Sequence, residues 1–272
     1  MPEAAAAAVP IRDAVRDATV RLAAAGCETP RLDAEVLLAF ALGVSRERLF
    51  LDAEEPVADM APFEALIARR QAREPVAYIT GVRDFRRISL KVDRRVLIPR
   101  PETELLVEVG VTMPAGSRVA DVGTGSGAVA LALLDERPDL TVWATDVSAD
   151  AVAVARSNGS ANVVQADLLN GVPGRFDAVL ANLPYVAAGS SLPPEIVLYE
   201  PGGAVFAGAD GLEAIRRLVP MAAASGAGVL ALEIGSDQAD AVYGLLGEAG
   251  YASVERLRDL AGHERVIVGR RR

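Results

Sequence analysis

Beyond Pro99 the chain repeats one pattern: a short run of Val, Ala and Leu, then a stretch with apolar residues at helical spacing, then another short run. Strand-like runs fall at residues 117–122, 141–145, 163–165, 176–181 and 228–234. Successive strands joined through helices pair in parallel with right-handed crossovers, because a tight turn cannot bring a strand back in the same direction. Runs that are apolar throughout, rather than alternating, indicate strands covered on both faces. The pattern therefore predicts an α/β fold, a parallel sheet between two layers of helices. Two further strands are expected at 253–257 and 265–269, meeting near Gly262 and His263.

The N-terminal part reads differently. From residue 10 to about 77, apolar residues recur at helical spacing, as in Ile11, Ala14, Val15 and Ala18, then Leu32, Ala34, Leu37 and Leu38. Gly26, Pro30, Gly43 and Pro56 punctuate this region into four or five short helices, a small all-α domain. Between Tyr78 and Leu97 the spacing of Phe85, Ile88, Leu90, Val92 and Val96 predicts a β-hairpin. The expected organisation is a helical domain over 1–77, a hairpin connector over 78–98 and an α/β domain over 99–272. The alanine-rich residues 1–10 lack the basic start of a secretory signal and read as a frayed terminus.

Composition narrows the function classes. One cysteine, Cys27, cannot close an internal disulfide, and with the single histidine, His263, it leaves too few soft ligands for zinc, so no metal site is expected. A net charge of -9 disfavours non-specific attraction to phosphate backbones, so a protein or small-molecule substrate is expected rather than nucleic acid. Although 51% of residues are hydrophobic, no uninterrupted apolar stretch of about 20 residues occurs, and a cytoplasmic chain without a membrane span is expected. Arg69-Arg70 and Arg94-Arg95 are expected to be solvated, His263 to be an ordinary turn residue and Cys27 a small core residue.

Asp121-Val122-Gly123-Thr124-Gly125-Ser126-Gly127 follows the first strand of the α/β part and opens a helix, which is where such sheets bind ligands. Glycine permits both the tight turn and close approach of the backbone to a ligand. Asp146, ending the next strand, is placed to accept hydrogen bonds from ribose hydroxyls, and Asp167, past the third, to reach an adenine amino group. Gly123, Gly125 and Ala128 also satisfy a dinucleotide fingerprint on paper. Asp121 favours S-adenosylmethionine, since a carboxylate attracts an ammonium and a sulfonium and repels a pyrophosphate.

Asn182-Leu183-Pro184-Tyr185 ends the fourth strand. The lone pair of a planar amide or exocyclic amino nitrogen is delocalised, so methylating it is difficult. A site helps by accepting both N–H protons at fixed positions and aiming the nitrogen. The Asn182 side-chain oxygen and the Leu183 carbonyl are suited to that, with the Tyr185 ring against the flat group; no general base is required, because an alkylated nitrogen can lose its proton to water.

Residues 70–81, Val96-Leu97-Ile98-Pro99-Arg100-Pro101-Glu102-Thr103-Glu104, residues 121–127 and the tetrapeptide together resemble the release factor glutamine methyltransferases, the HemK or PrmC family. The likeness continues through Glu200-Pro201, residues 208–212, Leu232-Glu233-Ile234-Gly235 and Glu264-Arg265, covering essentially the whole chain. It implies a Rossmann-like class I methyltransferase domain with a mostly parallel seven-stranded sheet. It also implies a helical domain that recognises release factors, S-adenosylmethionine as cofactor and a monomer in solution. By the same resemblance, Asp121, Gly123, Thr124, Gly125, Ser126, Gly127, Asp146, Asp167, Leu168 and Asn182 bind the cofactor. Asn182, Leu183, Pro184 and Tyr185 hold the glutamine of a Gly-Gly-Gln motif, and residues 100–104 border the cofactor pocket.

Three positions depart from the family. Leu183 stands where proline is usual, although Pro184 still biases its backbone toward an extended form. Arg86 and Arg87 follow Phe85 where an aromatic residue and glycine are common, and Leu168 replaces an aromatic beside the adenine. Asn-Leu-Pro-Tyr also occurs in adenine dimethyltransferases of ribosomal RNA, so adenine N6-methylation is a second reading. Glutamine methylation of a ribosomal protein and an inactive adenosine-ligand sensor are others.

Overall fold

A computed structural model describes residues 9–160 and 162–271, in two compact units. Residues 1–8 of the expected frayed terminus lie outside the described residues; Val9 and Pro10, included in it above, instead form a strand.

The first unit runs to Gly81 and includes Pro193–Tyr199 from later in the chain. Its helices are Ile11–Ala24, Pro30–Leu42, Arg46–Leu51, Ala61–Gln71, Val76–Thr80 and Pro194–Tyr199. Gly43 ends the second of them with a left-handed cap, as the glycine punctuation predicts. The helical spacing aligns Leu22, Leu37, Leu38, Phe63 and Ile67 into one dry core, which also takes Cys27. Two features depart from expectation. Strands β1 (Val9–Pro10) and β2 (Pro56–Val57) pair antiparallel, so Pro56 closes a two-residue ladder rather than only breaking a helix. Arg70 is buried, not solvated, because Asp33 accepts from its Nε at 2.8 Å and Glu195 from its Nη1 at 2.9 Å. A guanidinium leaves water only where such partners replace it.

The second unit comprises Val82–Leu192 and Glu200–Arg272. It opens with a hairpin, β3 (Val82–Phe85) and β4 (Ile88–Lys91). Seven strands then form one sheet: β5 (Arg118–Val122), β6 (Thr141–Asp146), β7 (Val163–Gln165), β8 (Ala178–Ala181), β9 (Val229–Glu233), β10 (Ser253–Arg258) and β11 (Glu264–Arg270). Their order across the sheet is β10-β11-β9-β8-β5-β6-β7. All neighbours pair in parallel except β11, which is antiparallel to both β9 and β10. Every residue of β8 and β9 is buried, as continuous apolar runs require of central strands. The strand order reverses between β5 and β8, so their carboxyl ends open a crevice at the topological switch point. Two of the strands that bear on this crevice end in a buried acid or carry one near the end, Asp121 in β5 and Glu233 in β9, among aliphatic neighbours.

Candidate functional site

A cavity of about 480 Å³ occupies the switch point, within the range of small-molecule sites. Asp121, Gly123, Thr124, Gly125, Ser126, Asp146, Asp167, Leu168, Asn182, Leu183 and Pro184 of the sequence-derived candidates line it; Gly127 and Tyr185 do not. Gly127 has φ +87° and starts the helix Ala128–Glu136.

The glycine loop is held by its own strands. The Gly123 and Thr124 amides both donate to the Thr145 carbonyl, at 2.8 and 2.9 Å, and the Gly125 amide donates to Asp146 Oδ2 at 2.9 Å. Amides spent on a carbonyl and a carboxylate do not cradle a pyrophosphate, whose binding needs free N–H groups. Gly123 has φ +75°, and a Cβ there would lie 2.9 Å from the Leu183 side chain. A side chain there would be strained by the backbone and would push Leu183 aside where the loop touches the tetrapeptide.

Asp121 is wholly buried; its Oδ2 accepts from Thr124 Oγ1 at 2.6 Å and from the Ala130 amide at 3.1 Å. Burial pushes its carboxyl up to about 6, the Asp146 charge adds to that, and the two hydrogen bonds oppose it. Burial also raises the Asp146 carboxyl, against hydrogen bonds from the Ser148, Gly125 and Val147 backbone. Among the described residues no Lys or Arg is paired with either acid. Two neighbouring carboxylates facing one cavity call for a cationic ligand with hydroxyl donors. The buried Ser126 Oγ on the same wall has no protein partner among the described residues. This donor set suits the ammonium, sulfonium and ribose of S-adenosylmethionine. Asp167 pairs with Arg217 across the far side of the cavity. Leu168 is buried in a left-handed backbone conformation, φ +57°, a strained geometry for a branched side chain that turns it onto the cavity wall.

The tetrapeptide is anchored from three directions, by Thr103, which lies in the segment expected to border the pocket, and by Glu233 and Gln238, which sequence reasoning gave no role in the site. Asn182 Nδ2 donates one N–H to Thr103 Oγ1 at 3.0 Å, which orients the amide with its NH2 toward Thr103 and Oδ1 on the opposite side. The Tyr185 hydroxyl donates to Glu233 Oε1 at 3.3 Å. Gln238 Nε2 donates to the Tyr185 carbonyl at 2.8 Å, while its Oε1 accepts from the Gly235 amide at 2.9 Å. Burial first, then the Glu233 charge, raises the Tyr185 phenol well above its ordinary range. Thr103 closes a 3-10 turn, Pro101–Thr103, ahead of the helix Glu104–Val111. The segment before it is clamped by Glu200, which accepts from Arg100 Nη2 at 2.6 Å and from the Ile98 amide at 3.3 Å. The Arg-Pro-Glu-Thr-Glu segment is thus both a helix start and a wall of the cavity. The family resemblance of residues 96–104 and 232–235 was the one available signal for Thr103 and Glu233; neither periodicity nor local chemistry marks them.

His263 lies exposed in the β10–β11 turn, 3.7 Å from Asp259, and takes no part in the site.

Comparison with known proteins is consistent with this geometry. Residues 13–81 match the family model of the PrmC N-terminal domain and residues 101–197 that of the methyltransferase small domain. The chain is 43% identical to a release factor glutamine methyltransferase of Cereibacter sphaeroides, over 95% of this chain and 97% of that protein. It is 42% identical to one of Moorella thermoacetica, over 96% and 99%. Among solved structures, a methyltransferase from Pyrococcus furiosus is similar at 18% identity and TM-score 0.51, over 76% of this chain and 96% of that one. The hMettl16 catalytic domain is similar at 17% identity and TM-score 0.54, over 75% and 80%. At those identities the two structures speak for the class I methyltransferase fold alone.

Proposed function

The chain belongs to the release factor glutamine methyltransferase family, and on that premise we infer that it methylates the side-chain amide nitrogen, N5, of the glutamine in the Gly-Gly-Gln motif of peptide chain release factors. S-adenosylmethionine supplies the electrophilic methyl carbon. Asp121, Asp146, Asp167, Leu168 and residues 123–127 hold it, with the Asp121 carboxylate beside the amino-acid end. Asn182 Oδ1 and the Leu183 carbonyl accept the two N–H bonds of the glutamine amide, Pro184 stiffens the turn, and Tyr185 packs against the amide plane. Fixing both N–H directions aims the nitrogen at the methyl carbon, and the proton leaves to water after alkylation. The helical residues 1–77 serve as the recognition module for the release factor, 78–98 as the connector and 99–272 as the catalytic domain, in a monomer. No helix among the described residues is long and apolar enough to cross a membrane.

The observation that carries this reading is the contact of Asn182 Nδ2 with Thr103. A side-chain amide whose NH2 is committed offers its oxygen, and an oxygen is what an incoming NH2 group needs. The reading is tested by incubating the purified protein and labelled S-adenosylmethionine with a release factor, its Gln-to-Ala variant and ribosomal RNA. Label on the release factor that vanishes with the glutamine is the expected result; label on RNA alone overturns it in favour of adenine methylation. Asn182→Ala is expected to lower kcat by roughly a hundredfold, as for loss of one preorganised polar contact, with little change in cofactor affinity by calorimetry.

A further inference from the structure

Glu233 belongs to none of the groups assigned above to cofactor or substrate, yet the tetrapeptide is tied to it. Its Oε1 accepts the Tyr185 hydroxyl at 3.3 Å, while Oε2 is buried without a partner at conventional hydrogen-bond geometry. Thr103 stands close enough to the same carboxyl to hold its pKa down. Thr103 Oγ1 meanwhile accepts from Asn182 Nδ2, so its own proton has to point elsewhere, and the Glu233 carboxylate is where it can go. The result is a relay from Asn182 through Thr103 to Glu233, joined there by Tyr185.

The charged surroundings of Glu233 are few. Arg265, on the adjacent strand β11, favours the ionised form and Glu102, in the 3-10 turn, opposes it. The helices Glu104–Val111 and Glu213–Ala224 bury aliphatic residues on the sheet, Leu106, Val107 and Val109 from one and Ile215, Leu218 and Val219 from the other.

Building on the role given above to Asn182, we propose that Glu233 is a positioning residue for methyl transfer: as a carboxylate it draws the Thr103 proton, keeps a Thr103 lone pair turned to Asn182 Nδ2, and so keeps Asn182 Oδ1 facing the substrate amide. When Glu233 is protonated it becomes a donor to Thr103. The Thr103 proton then turns toward Asn182, which favours the amide rotated by half a turn with its NH2 facing the substrate. Two NH2 groups meeting there have no hydrogen bond to make, and the reacting nitrogen loses its aim. The Tyr185 hydroxyl then donates to a neutral carboxyl rather than to a carboxylate, a weaker hydrogen bond. Burial pushes the Glu233 carboxyl up to about 7, held down in part by Thr103, Tyr185 and Arg265.

The test compares wild type, Glu233→Gln, Thr103→Val and the double variant by kcat and S-adenosylmethionine affinity from about pH 6 to about pH 9. Beside it, the side-chain 15N–1H signals of Asn182, one of four asparagines and assignable through Asn182→Ser, are followed over the same range without substrate. Wild-type kcat is expected to rise through a midpoint near 7, with the Asn182 signals shifting at that midpoint. Glu233→Gln, fixed as a donor, is expected to be flat in pH at about a tenth of the wild-type plateau, equivalent to one 1.36 kcal/mol step in barrier, with cofactor affinity unchanged and static Asn182 signals. Thr103→Val should act through the same relay, so the double variant loses less than the product of the single losses. A Glu233→Gln enzyme with the wild-type pH profile, or wild-type Asn182 signals that ignore pH, overturns the proposal. Should Glu233→Gln fail to fold, Thr103→Val and the wild-type spectra decide alone. Failure of wild type to label a release factor refutes the substrate reading instead, and the spectra still decide the relay.

Discussion

Burial raises two acids at this site, Asp121 and Glu233, and the roles proposed above need both of them ionised. Asp121 is raised to about 6 by burial and by Asp146. A cationic ligand binds its ionised form, so cofactor affinity is expected to fall as pH drops through about 6, measurable by calorimetry. Asp121→Asn should bind more weakly and lose that dependence, and an unaltered pH response would remove Asp121 from cofactor binding. Glu233 lies further up, raised from 4.5 to about 7. Its folded form holds a proton more tightly than the unfolded chain does, so its contribution to stability is greatest below pH 4.5. That contribution declines as pH rises to about 7 and stays low above it. The shift corresponds to a cost of roughly 3 kcal/mol at pH 8. Glu233→Gln is therefore expected to melt higher than wild type at pH 8 while turning over more slowly, the sign of a group kept for function rather than stability. Equal or lower melting temperatures for the variant would contradict it.

At the scale of elements, the tetrapeptide owes its shape to segments far away in sequence. Gly211 has φ +76°, and a Cβ on it would lie 2.0 Å from the Tyr185 carbonyl oxygen and 2.6 Å from Gln238 Nε2. Gly211→Ala must therefore displace Tyr185 or break the Gln238 contact. We expect a kcat loss of tenfold or more with cofactor affinity nearly unchanged; kinetics equal to wild type would show that the Tyr185 backbone is not held as described. The departure at Arg86 is also settled at this scale. The hairpin turn needs a left-handed residue, and Arg86 occupies φ +49° there, where glycine would be unstrained. Its guanidinium pairs with Glu136, and its amide donates to Glu104 Oε1 at 3.2 Å, contacts that glycine could not all make. Leu183 is buried against Gly123, an apolar contact for which a leucine in place of the usual proline is a sound choice.

At the scale of the whole molecule, each unit closes its own core. In the helical unit, buried Arg70 and Asp33 and half-buried Arg73 and Glu195 form one charge cluster: Glu195 accepts from Arg73 Nε at 2.7 Å and Nη2 at 2.6 Å. Removing one partner leaves an uncompensated buried charge, which typically costs about 3–5 kcal/mol. Arg70→Ala is expected to lower the melting temperature by several degrees or more and to leave S-adenosylmethionine affinity intact, because no described residue of that unit lines the cavity. A drop in cofactor affinity without loss of stability would argue against that separation.

The strands, their parallel pairing and the cavity-lining loop were legible in the chain, because apolar run length, helical spacing and glycine position are local properties. All five parallel strands and both C-terminal strands fall within a few residues of their expected places. Where the reading failed, the cause was a partner distant in sequence. Arg70 reads as a solvated charge until Asp33 and Glu195 surround it, and Pro56 reads as a breaker until Pro10 pairs with it. The same holds for the site. The order of residues 121–127 and 182–185 determined which groups could face a cofactor and an amide. Only the fold decided that Thr103, 79 positions from Asn182, would fix that amide, and that the buried end of β9 would put Glu233 under Tyr185. Hydrogen-bond partnership depends on proximity in space, and proximity across a sheet is not written in any one segment.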